Sequence, residues 1–318
     1  MHRRIRLALI AVTATTAIVV PAAANAAPPP PPPGATHSGT PAPRPRAETA
    51  LDAGIVNVAH RGASAYAPEN TLAAFRLART QRADMFELDV QETRDHQLVI
   101  MHDTTLGRTT NAEDVYPDRA PWKVADFTLA EIQKLDAGSW FAAKYAGERV
   151  PTLPQVLTAM RGKGLGLLLE IKSPALYPGI EGRIAAALKR SPSWLRYDPR
   201  ERRLAVQSFD WESVRRFHAV LPRVPTGLLG TPKAEQLPEL ASYADQINPT
   251  FGDLTESYVG QVHAARMDVL TWTINDRGDM EKAAGLGVDG IITNRPDVLR
   301  QVLEESRAAR AAQRARAA

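Results

Sequence analysis

Short apolar runs alternate with longer segments of helical periodicity along most of this chain. Most of the runs are separated by enough residues for a crossover helix, and strand–helix repeats of this kind build parallel sheets. The pattern therefore predicts an α/β protein between about residues 51 and 304. The predicted strands are Ile55–Ala59, Met85–Val90, Leu98–Met101, Leu167–Ile171, Leu204–Phe209, Thr226–Leu229, Gln246–Asn248, Leu270–Ile274 and Gly290–Thr293.

Several helix ends can be predicted from the residues that flank the periodic segments. Asn70 is a good N-cap for the helix that follows the first strand. Another helix should begin near Asp276 and stop at Gly287. Asn294-Arg295-Pro296 is predicted to cap the last helix, with the proline in its first turn.

Nine candidate strands are one more than a closed barrel of eight parallel strands needs. Only seven residues separate Val90 from Leu98, whereas a parallel crossover takes about a dozen. The run at Leu98–Met101 is therefore predicted to return beside the second strand as the arm of a hairpin. The remaining strands then close a TIM (β/α)8 barrel.

Residues 104–151 interrupt the strand–helix rhythm. They contain Pro117 and Pro121, a helical pattern from Leu129 to Leu135, and several aromatic residues. Because a loop of this length usually has its own structure or function, we predict a small inserted cap beside the barrel mouth, between barrel strands 2 and 3. The Ala/Arg-rich tail at 305–318 should extend the last helix or fray.

The N-terminus has the pattern of a signal peptide at residues 1–26. Basic residues precede an apolar run of fourteen residues from Leu7 to Val20, and a small-residue cleavage site ends at Ala26. The run is shorter than the ~20 residues of a membrane-spanning helix. We expect a secreted bacterial protein with no membrane span in the mature chain; an uncleaved anchor is the alternative, and the export route, Sec or twin-arginine, is open.

Residues 27–50 are rich in proline, with an unbroken run from Pro28 to Pro33, and should form an extended, disordered linker. The sequence has 39 Lys and Arg against 35 Asp and Glu, and no cysteine. Three of the basic residues lie in the predicted signal peptide, so the remainder is nearly neutral and a nucleic-acid groove is not expected. The lack of cysteine fits an exported protein whose core is large enough to fold without disulfides.

Acidic residues lie on two predicted strands near their carboxyl ends, where a TIM barrel has its active site. Glu87 and Asp89 project from the same face of one strand, and Glu170 lies near the end of the next barrel strand. Three converging carboxylates repel each other unless a cation joins them, and oxygen ligands suit Mg²⁺ or Ca²⁺. The sequence predicts a divalent metal site, with a salt-bridge network to Arg61 and Lys172 as the alternative.

Two histidines lie near these acids. His60 follows the first strand, and a hairpin turn at Asp95-His96 would set His102 opposite Asp89. An imidazole titrates near neutral pH and can take a proton from one oxygen and give one to another. The pair is predicted to be catalytic, although a histidine at a strand end is often only part of the core.

Three further residues are candidates for substrate binding. Arg61 and Lys172 stay cationic at neutral pH and are predicted to bind a phosphate, even where they also pair with the acids. Trp272, at the predicted mouth, is a candidate to pack against the organic part of a substrate, or else a core aromatic.

Several short motifs follow one another in order between about residues 55 and 300: His60-Arg61-Gly62, Pro68-Glu69-Asn70-Thr71, Glu87-Leu88-Asp89-Val90, His102-Asp103, Glu170-Ile171-Lys172, Ser208-Phe209-Asp210, Trp272-Thr273-Ile274-Asn275 and the stretch from Gly287 to Asn294. Together they resemble the glycerophosphodiester phosphodiesterase family. Their joint occurrence makes the resemblance specific. The family's usual Asp-Gly turn before the second histidine is Asp95-His96 here.

The resemblance implies a TIM barrel and hydrolysis of glycerophosphodiesters to sn-glycerol 3-phosphate and an alcohol. It implies His60 and His102 as the acid–base pair, Glu87, Asp89 and Glu170 as ligands of Ca²⁺ or Mg²⁺, and Arg61 and Lys172 as phosphate contacts. A glycerol hydroxyl would attack the phosphate and water would open the resulting cyclic ester; direct attack by water is the alternative, and the order in which the histidines act is open.

The choice among small glycerophosphodiesters, wall teichoic acids and lipid head groups is open at this stage. One alternative is a phospholipase C-like or D-like enzyme that acts on intact lipids. The other is a secreted, non-catalytic module that binds phosphodiesters.

Overall fold

The computed structural model describes residues 54–196 and 204–317. The predicted signal peptide at 1–26 and linker at 27–50 lie outside the described residues. Within the described part, all nine predicted runs are strands, and the bounds differ most for the eighth, which lies earlier than predicted. The strands are β1 (Val56–Ala59), β2 (Met85–Glu92), β3 (Leu98–Ile100), β4 (Gly166–Ile171), β5 (Leu204–Ser208), β6 (Thr226–Leu229), β7 (Gln246–Asn248), β8 (Asp268–Thr271) and β9 (Gly290–Thr293).

Eight of these strands close into a parallel barrel, which confirms the predicted TIM fold. β1 pairs in parallel with β2 and with β9, β2 pairs with β4, and the others follow in chain order. The α-helices in the described part are α1 (Leu72–Thr80), α2 (Ala112–Val115), α3 (Leu129–Ile132), α4 (Leu153–Met160), α5 (Ile180–Lys189), α6 (Trp211–Val220), α7 (Leu237–Leu240), α8 (Glu256–Ala264), α9 (Arg277–Gly285) and α10 (Pro296–Ala317).

Side-chain alternation along β2 divides its residues between the helical layer and the barrel interior. Phe86 is fully buried in an apolar cluster that includes residues of the surrounding helices. Met85 belongs to a second cluster, whose buried members all come from strands and which therefore fills the barrel. Since alternate residues of a strand share a face, Glu87 and Asp89 point into the same interior as Met85.

The predicted hairpin is present, but its predicted register is wrong by one residue. β3 runs antiparallel to β2, with Val90 opposite Ile100. The backbone N–H of Met101 donates to the carbonyl of Asp89 at 3.0 Å. Met101, and not His102, therefore lies opposite Asp89.

The turn of this hairpin explains the difference in register. Thr93 bonds to Gln97 across the turn, which leaves three residues in the loop instead of the predicted two. His96 takes the left-handed conformation, with φ 58°. Three-residue hairpin loops with a left-handed third residue are a common alternative to two-residue turns.

The segment between β3 and α4 forms a small substructure. It contains α2, α3 and short 3₁₀ turns at Pro117–Arg119, Val124–Asp126 and Ala143–Tyr145. Its buried apolar residues, among them Leu106 and Phe127, pack in one cluster with Val99 of β3. The insertion therefore packs on the β2–β3 hairpin, and its role as a cap stays a prediction.

The structure corrects one predicted helix cap and agrees with another. Thr71, not Asn70, caps α1, because the Thr71 hydroxyl accepts from the backbone N–H of Ala74. Asn70 has a left-handed φ of 59°, and its side chain donates to Asp89 instead of capping the helix. Asp276 caps α9, and the chain turns at Gly287 with φ 83°, as predicted.

The last helix begins at Pro296, as predicted, and runs to Ala317, so most of the Ala/Arg-rich tail extends it. The predicted capping segment Asn294-Arg295-Pro296 leads into this helix, and within it the side-chain oxygen of Asn294 is bonded to His60 and Ser64. Among the helices of the described residues, none has both the length and the apolar character that crossing a bilayer requires.

Candidate active site

Three carboxylates meet inside the barrel towards the carboxyl ends of β2 and β4. Glu87 and Asp89 come from β2, Glu170 comes from β4, and the strand register places Asp89 beside Glu170. One ligand oxygen of each lies within 4.8 Å of the other two. The residues are 1%, 1% and 6% exposed, respectively. The structure thus brings together the three acids that the sequence singles out, in an arrangement that could hold a metal ion.

The acids carry more negative charge than their neighbours neutralise. Burial and repulsion from Asp89 raise the pKa of Glu170 to about 7. Burial and both other acids raise the pKa of Glu87 well above its ordinary value. Burial also opposes the charge of Asp89, but Lys172 and Arg61 hold the pKa of that carboxyl below its usual range. Oε1 of Glu87 is buried and finds no hydrogen-bond partner among the described residues, a costly arrangement that a cation would relieve.

Two cations flank Asp89. Lys172 Nζ lies 3.3 Å from Asp89 Oδ1 and 2.8 Å from Glu170 Oε1. Arg61 Nε lies 3.5 Å from Asp89 Oδ2. The salt-bridge alternative from the sequence therefore describes part of the geometry, but two cations do not balance three carboxylates.

The backbone at Arg61-Gly62 is left-handed, which aims the main chain at the acids. Arg61 has φ 54° and Gly62 has φ 80°, and the backbone N–H of Arg61 donates to Glu87 Oε2 at 2.7 Å. A Cβ on Gly62 would lie 2.6 Å from the backbone carbon of Ala74 in α1. Only glycine allows both this conformation and this close approach.

Asn70 holds Asp89 in place from the loop before α1. Its Nδ2 donates to Asp89 Oδ2 at 2.8 Å, and the backbone N–H of Asp89 donates to Asn70 Oδ1 at 3.3 Å. Asparagine is among the few residue types that tolerate the left-handed conformation found here. Asn70 therefore orients one of the acids.

His60 is held by a neutral partner. Its Nδ1 lies 2.7 Å from Asn294 Oδ1, and because an amide oxygen can only accept, the ring carries its proton on Nδ1 and its lone pair on Nε2. Burial and the nearby Arg61 lower the pKa of His60 to about 4. The imidazole is therefore neutral at physiological pH, with Nε2 able to accept a proton.

His102 is held by an anionic partner. It follows β3, and its Nδ1 lies 2.7 Å from Asp103 Oδ1. Its backbone carbonyl accepts from Gln91 Nε2 at 3.1 Å. The two histidines therefore have the same nitrogen engaged but partners of different charge.

Two aromatic rings lie beyond the carboxyl ends of β5 and β8. Trp272 Nε1 donates to the carbonyl of Asn248 at 2.8 Å, which fixes the indole. The ring of Phe209 meets it edge to face at 5.5 Å between centroids and is 54% exposed. The ammonium of Lys172 lies 5.8 Å from the Phe209 ring centroid. Trp272 therefore follows β8 and packs both against Phe209 and against the apolar cluster inside the barrel, and its role in substrate binding stays a prediction.

Comparison with known proteins agrees with this geometry. Residues 60–298 match the sequence model of the Glycerophosphoryl diester phosphodiesterase family. The chain belongs to this family. It is therefore an enzyme of the phosphoric diester hydrolase class.

Members of the phosphodiesterase family are similar to this chain over most of its length. A glycerophosphodiester phosphodiesterase of Caldanaerobacter subterraneus is 39% identical over 76% of this chain and 95% of its own. A glycerophosphodiester phosphodiesterase of Bacillus subtilis is 37% identical over 78% of this chain and 86% of its own. A crystallised phosphodiesterase of Oleispira antarctica, in complex with the product sn-glycerol-3-phosphate, is 30% identical, covers 80% of this chain and 99% of its own, and has a TM-score of 0.68.

Some residues of the quoted motifs belong to the site although the sequence predicts no catalytic or binding role for them. Asn70 and Asn294 bond to Asp89 and His60. Glu69 pairs at 2.8 Å with Arg108, a residue outside the quoted motifs, beside the site. The signal that could have found the two asparagines is their position, since each lies in a loop after a barrel strand, where side chains reach the rim.

Proposed function

We propose that this phosphodiesterase hydrolyses glycerophosphodiesters to sn-glycerol 3-phosphate and an alcohol, with a divalent cation bound by Glu87, Asp89 and Glu170. The observation that carries the proposal is the excess of buried carboxylate charge, together with the unpartnered Oε1 of Glu87. The Oleispira antarctica relative, whose structure contains sn-glycerol-3-phosphate, supports the product.

The donor set fits Ca²⁺ or Mg²⁺, since both prefer carboxylate oxygens and neither requires nitrogen or sulfur ligands. A bound cation would polarise the phosphate and acidify a nearby hydroxyl. Arg61 and Lys172 would contact the remaining phosphate oxygens, because both already face the acids and both stay charged. Trp272 would pack against the organic part of the substrate.

We assign the first proton transfers from the partners of the two histidines. His60, neutral and bonded to Asn294, takes the proton of the attacking glycerol hydroxyl at Nε2. His102, whose Nδ1 is held by the carboxylate of Asp103, gives a proton from Nε2 to the departing alcohol. A new P–O bond forms as the old one breaks. The resulting cyclic phosphate is then opened by water with the two roles reversed.

The experiment is release of sn-glycerol 3-phosphate from glycerophosphocholine by the purified protein with Ca²⁺, with Mg²⁺ and with excess EDTA. We expect metal-dependent release, and a cyclic phosphate visible by ³¹P NMR in early samples. His60→Ala and His102→Ala should each lower kcat by roughly 10²- to 10⁴-fold, the usual contribution of a general acid or base.

His263→Ala is the matched control for these two variants. His263 also bonds to an acidic partner, with Nε2 2.8 Å from Asp289 Oδ2, but it lies in α8 away from the three carboxylates. The kcat of the His263→Ala variant should equal that of the unmodified protein. Full release in EDTA, or normal turnover in both His60→Ala and His102→Ala, would contradict the proposal.

One observation favours a second candidate substrate, a lipid that keeps its acyl chain. Leu176 and Phe209 are 55% and 54% exposed and lie in the loops that follow β4 and β5, at the mouth of the barrel. An apolar rim suits contact with a lipid surface. Comparing the rates of hydrolysis of glycerophosphocholine and lysophosphatidylcholine under the same conditions separates the two candidates. A wall teichoic acid should be the third substrate tested.

We also propose that the protein is secreted. The supporting pattern is the basic start, the apolar run at Leu7–Val20 and the small residues before Ala26. Expression with residues 1–53 intact in a bacterium, followed by N-terminal sequencing of the protein in the medium, should find a chain that begins after Ala26. An intact N-terminus in the membrane fraction would instead indicate an anchor.

A further inference from the structure

Arg108 bridges two carboxylates from different parts of the chain. Its Nε and one terminal nitrogen donate to Asp103, at 2.5 and 3.0 Å. Its two terminal nitrogens also donate to Glu69, at 2.9 and 2.8 Å. Arg108 belongs to the start of the insertion, whereas Glu69 belongs to the loop before α1. Only arginine has a planar fork of donors that can bind two carboxylates in this way.

Each of these carboxylates also contacts a residue of the site. Asp103 accepts from Nδ1 of His102 at 2.7 Å. Glu69 accepts from Arg61 at 2.9 Å. A continuous chain of hydrogen-bonded side chains therefore runs from Arg61 through Glu69, Arg108 and Asp103 to His102.

The bridge is not a typical surface ion pair. Glu69 and Asp103 have side chains that are 13% and 27% exposed, and the Arg108 side chain is 44% exposed. The Arg108 hydrogen bond is the largest cause that lowers the pKa of Asp103 to about 2. Asp103 is therefore anionic at every working pH, which keeps it an acceptor for His102.

We propose that Arg108 is a positioning residue for the reaction: by holding Asp103 it fixes the ring of His102, while its bonds to Glu69 anchor the guanidinium to the loop before α1. This inference rests on the proposed function, in which His102 protonates the departing alcohol. Arg108 acts through its neighbours, since four of its donor contacts already go to carboxylates. The insertion thereby supplies a part of the catalytic apparatus that the barrel strands do not.

The test compares two substrates that differ only in the alcohol. Choline of glycerophosphocholine is a poor leaving group and needs a proton, whereas p-nitrophenol of the p-nitrophenyl ester of glycerol 3-phosphate leaves without one. Arg108→Gln should lower kcat for glycerophosphocholine by roughly 10- to 100-fold, as expected for loss of a supporting partner. First-turnover release of p-nitrophenol should fall by less than about threefold, because a step that needs no proton loses little without its acid.

His102→Ala, assayed in parallel, separates the two proposals. This variant should also slow the hydrolysis of glycerophosphocholine more than the release of p-nitrophenol, and the difference should be larger than for Arg108→Gln. If His102→Ala slows both substrates equally, the proposed acid is wrong and the proposed function fails at that step. If His102→Ala behaves as expected but Arg108→Gln slows both substrates equally, or neither, only the role of Arg108 is overturned.

Arg119→Gln is the matched control. Arg119 lies in the same insertion and pairs with Glu131 at 2.6 Å, and its other contacts are with Tyr116, Asp126 and Phe127. It should affect the melting temperature as Arg108→Gln does but leave both reactions unchanged. If Arg108→Gln does not fold, Arg108→Lys replaces it. Lysine keeps the charge without the fork, so kcat for glycerophosphocholine should recover in part, and equal slowing of both substrates would again overturn the proposal.

Discussion

Replacing Glu170 by glutamine should stabilise the metal-free protein at pH 8 while abolishing its response to metal. The reason is the burial of Glu170 together with repulsion from Asp89, which raise the pKa of Glu170 from its ordinary 4.5 to about 7. At about 1.4 kcal/mol for each pH unit, ionised Glu170 costs the folded protein about 3 kcal/mol above pH 7.

The sign follows from the two pKa values. Below pH 4.5 Glu170 is protonated in the folded and the unfolded chain, so it contributes nothing. Between pH 4.5 and about 7 the unfolded chain loses a proton that the folded protein keeps, and stability falls. Glutamine has no proton to lose. The free energy of unfolding of Glu170→Gln should therefore exceed that of the unmodified protein by about 1–3 kcal/mol at pH 8 and by less than about 1 kcal/mol at pH 5.

The assay is urea unfolding followed by tryptophan fluorescence, at pH 5 and pH 8, with EDTA and with excess Ca²⁺ or Mg²⁺. Metal at 100 times its dissociation constant should raise the free energy of unfolding of the unmodified protein by about 2.7 kcal/mol. It should add nothing to Glu170→Gln if the lost carboxylate is a ligand.

Glu181→Gln is the matched control for this experiment. Glu181 is also buried, but its Oε1 accepts from Ser213 at 2.7 Å and from Arg216 at 2.9 Å. Its charge is compensated, so removing it should destabilise the protein at pH 8 and leave the metal response unchanged. The reasoning is refuted if Glu170→Gln, like Glu181→Gln, destabilises the protein in EDTA. It is also refuted if metal stabilises the Glu170→Gln variant as much as it stabilises the unmodified protein.

Three other substitutions test the parts that support the site. Asn70→Gly keeps the left-handed backbone but removes both bonds to Asp89, so metal affinity by calorimetry should fall roughly tenfold; unchanged affinity would mean that Asp89 needs no support. Asn294→Ala should lower kcat roughly tenfold with little change in KM, since His60 loses its partner. Gly62→Ala, with φ 80°, should reduce the free energy of unfolding by about 2–4 kcal/mol in urea.

The barrel could be predicted because its strands are local. Each strand is one short apolar run, and the closure follows from their number once the short Val90–Leu98 connection is recognised as a hairpin. The register of that hairpin could not be predicted in the same way. It depends on whether the turn holds two or three residues, and His96 gives no sign of its left-handed conformation in the sequence.

Some residues of the candidate site could likewise be predicted from local pattern, and others could not. Glu87, Asp89 and Glu170 could be placed together because alternate strand residues share a face and the carboxyl ends of parallel strands meet at one rim. Asn70 was expected to cap a helix, a role for which its residue type is equally suited. The choice between capping α1 and holding Asp89 depends on where β2 lies next to that loop.

The fold class and the grouping of Glu87, Asp89 and Glu170 can be read from the chain alone, because periodicity and strand-end position are properties of neighbouring residues. The catalytic roles of His60 and His102 stay a prediction. Tertiary packing sets the pairing of Asn294 with His60, which are 234 residues apart, and the bridge that Arg108 makes between Glu69 and Asp103. Those contacts join segments distant along the chain, and their partners are set by the packing of the closed barrel and its insertion, which no local pattern records.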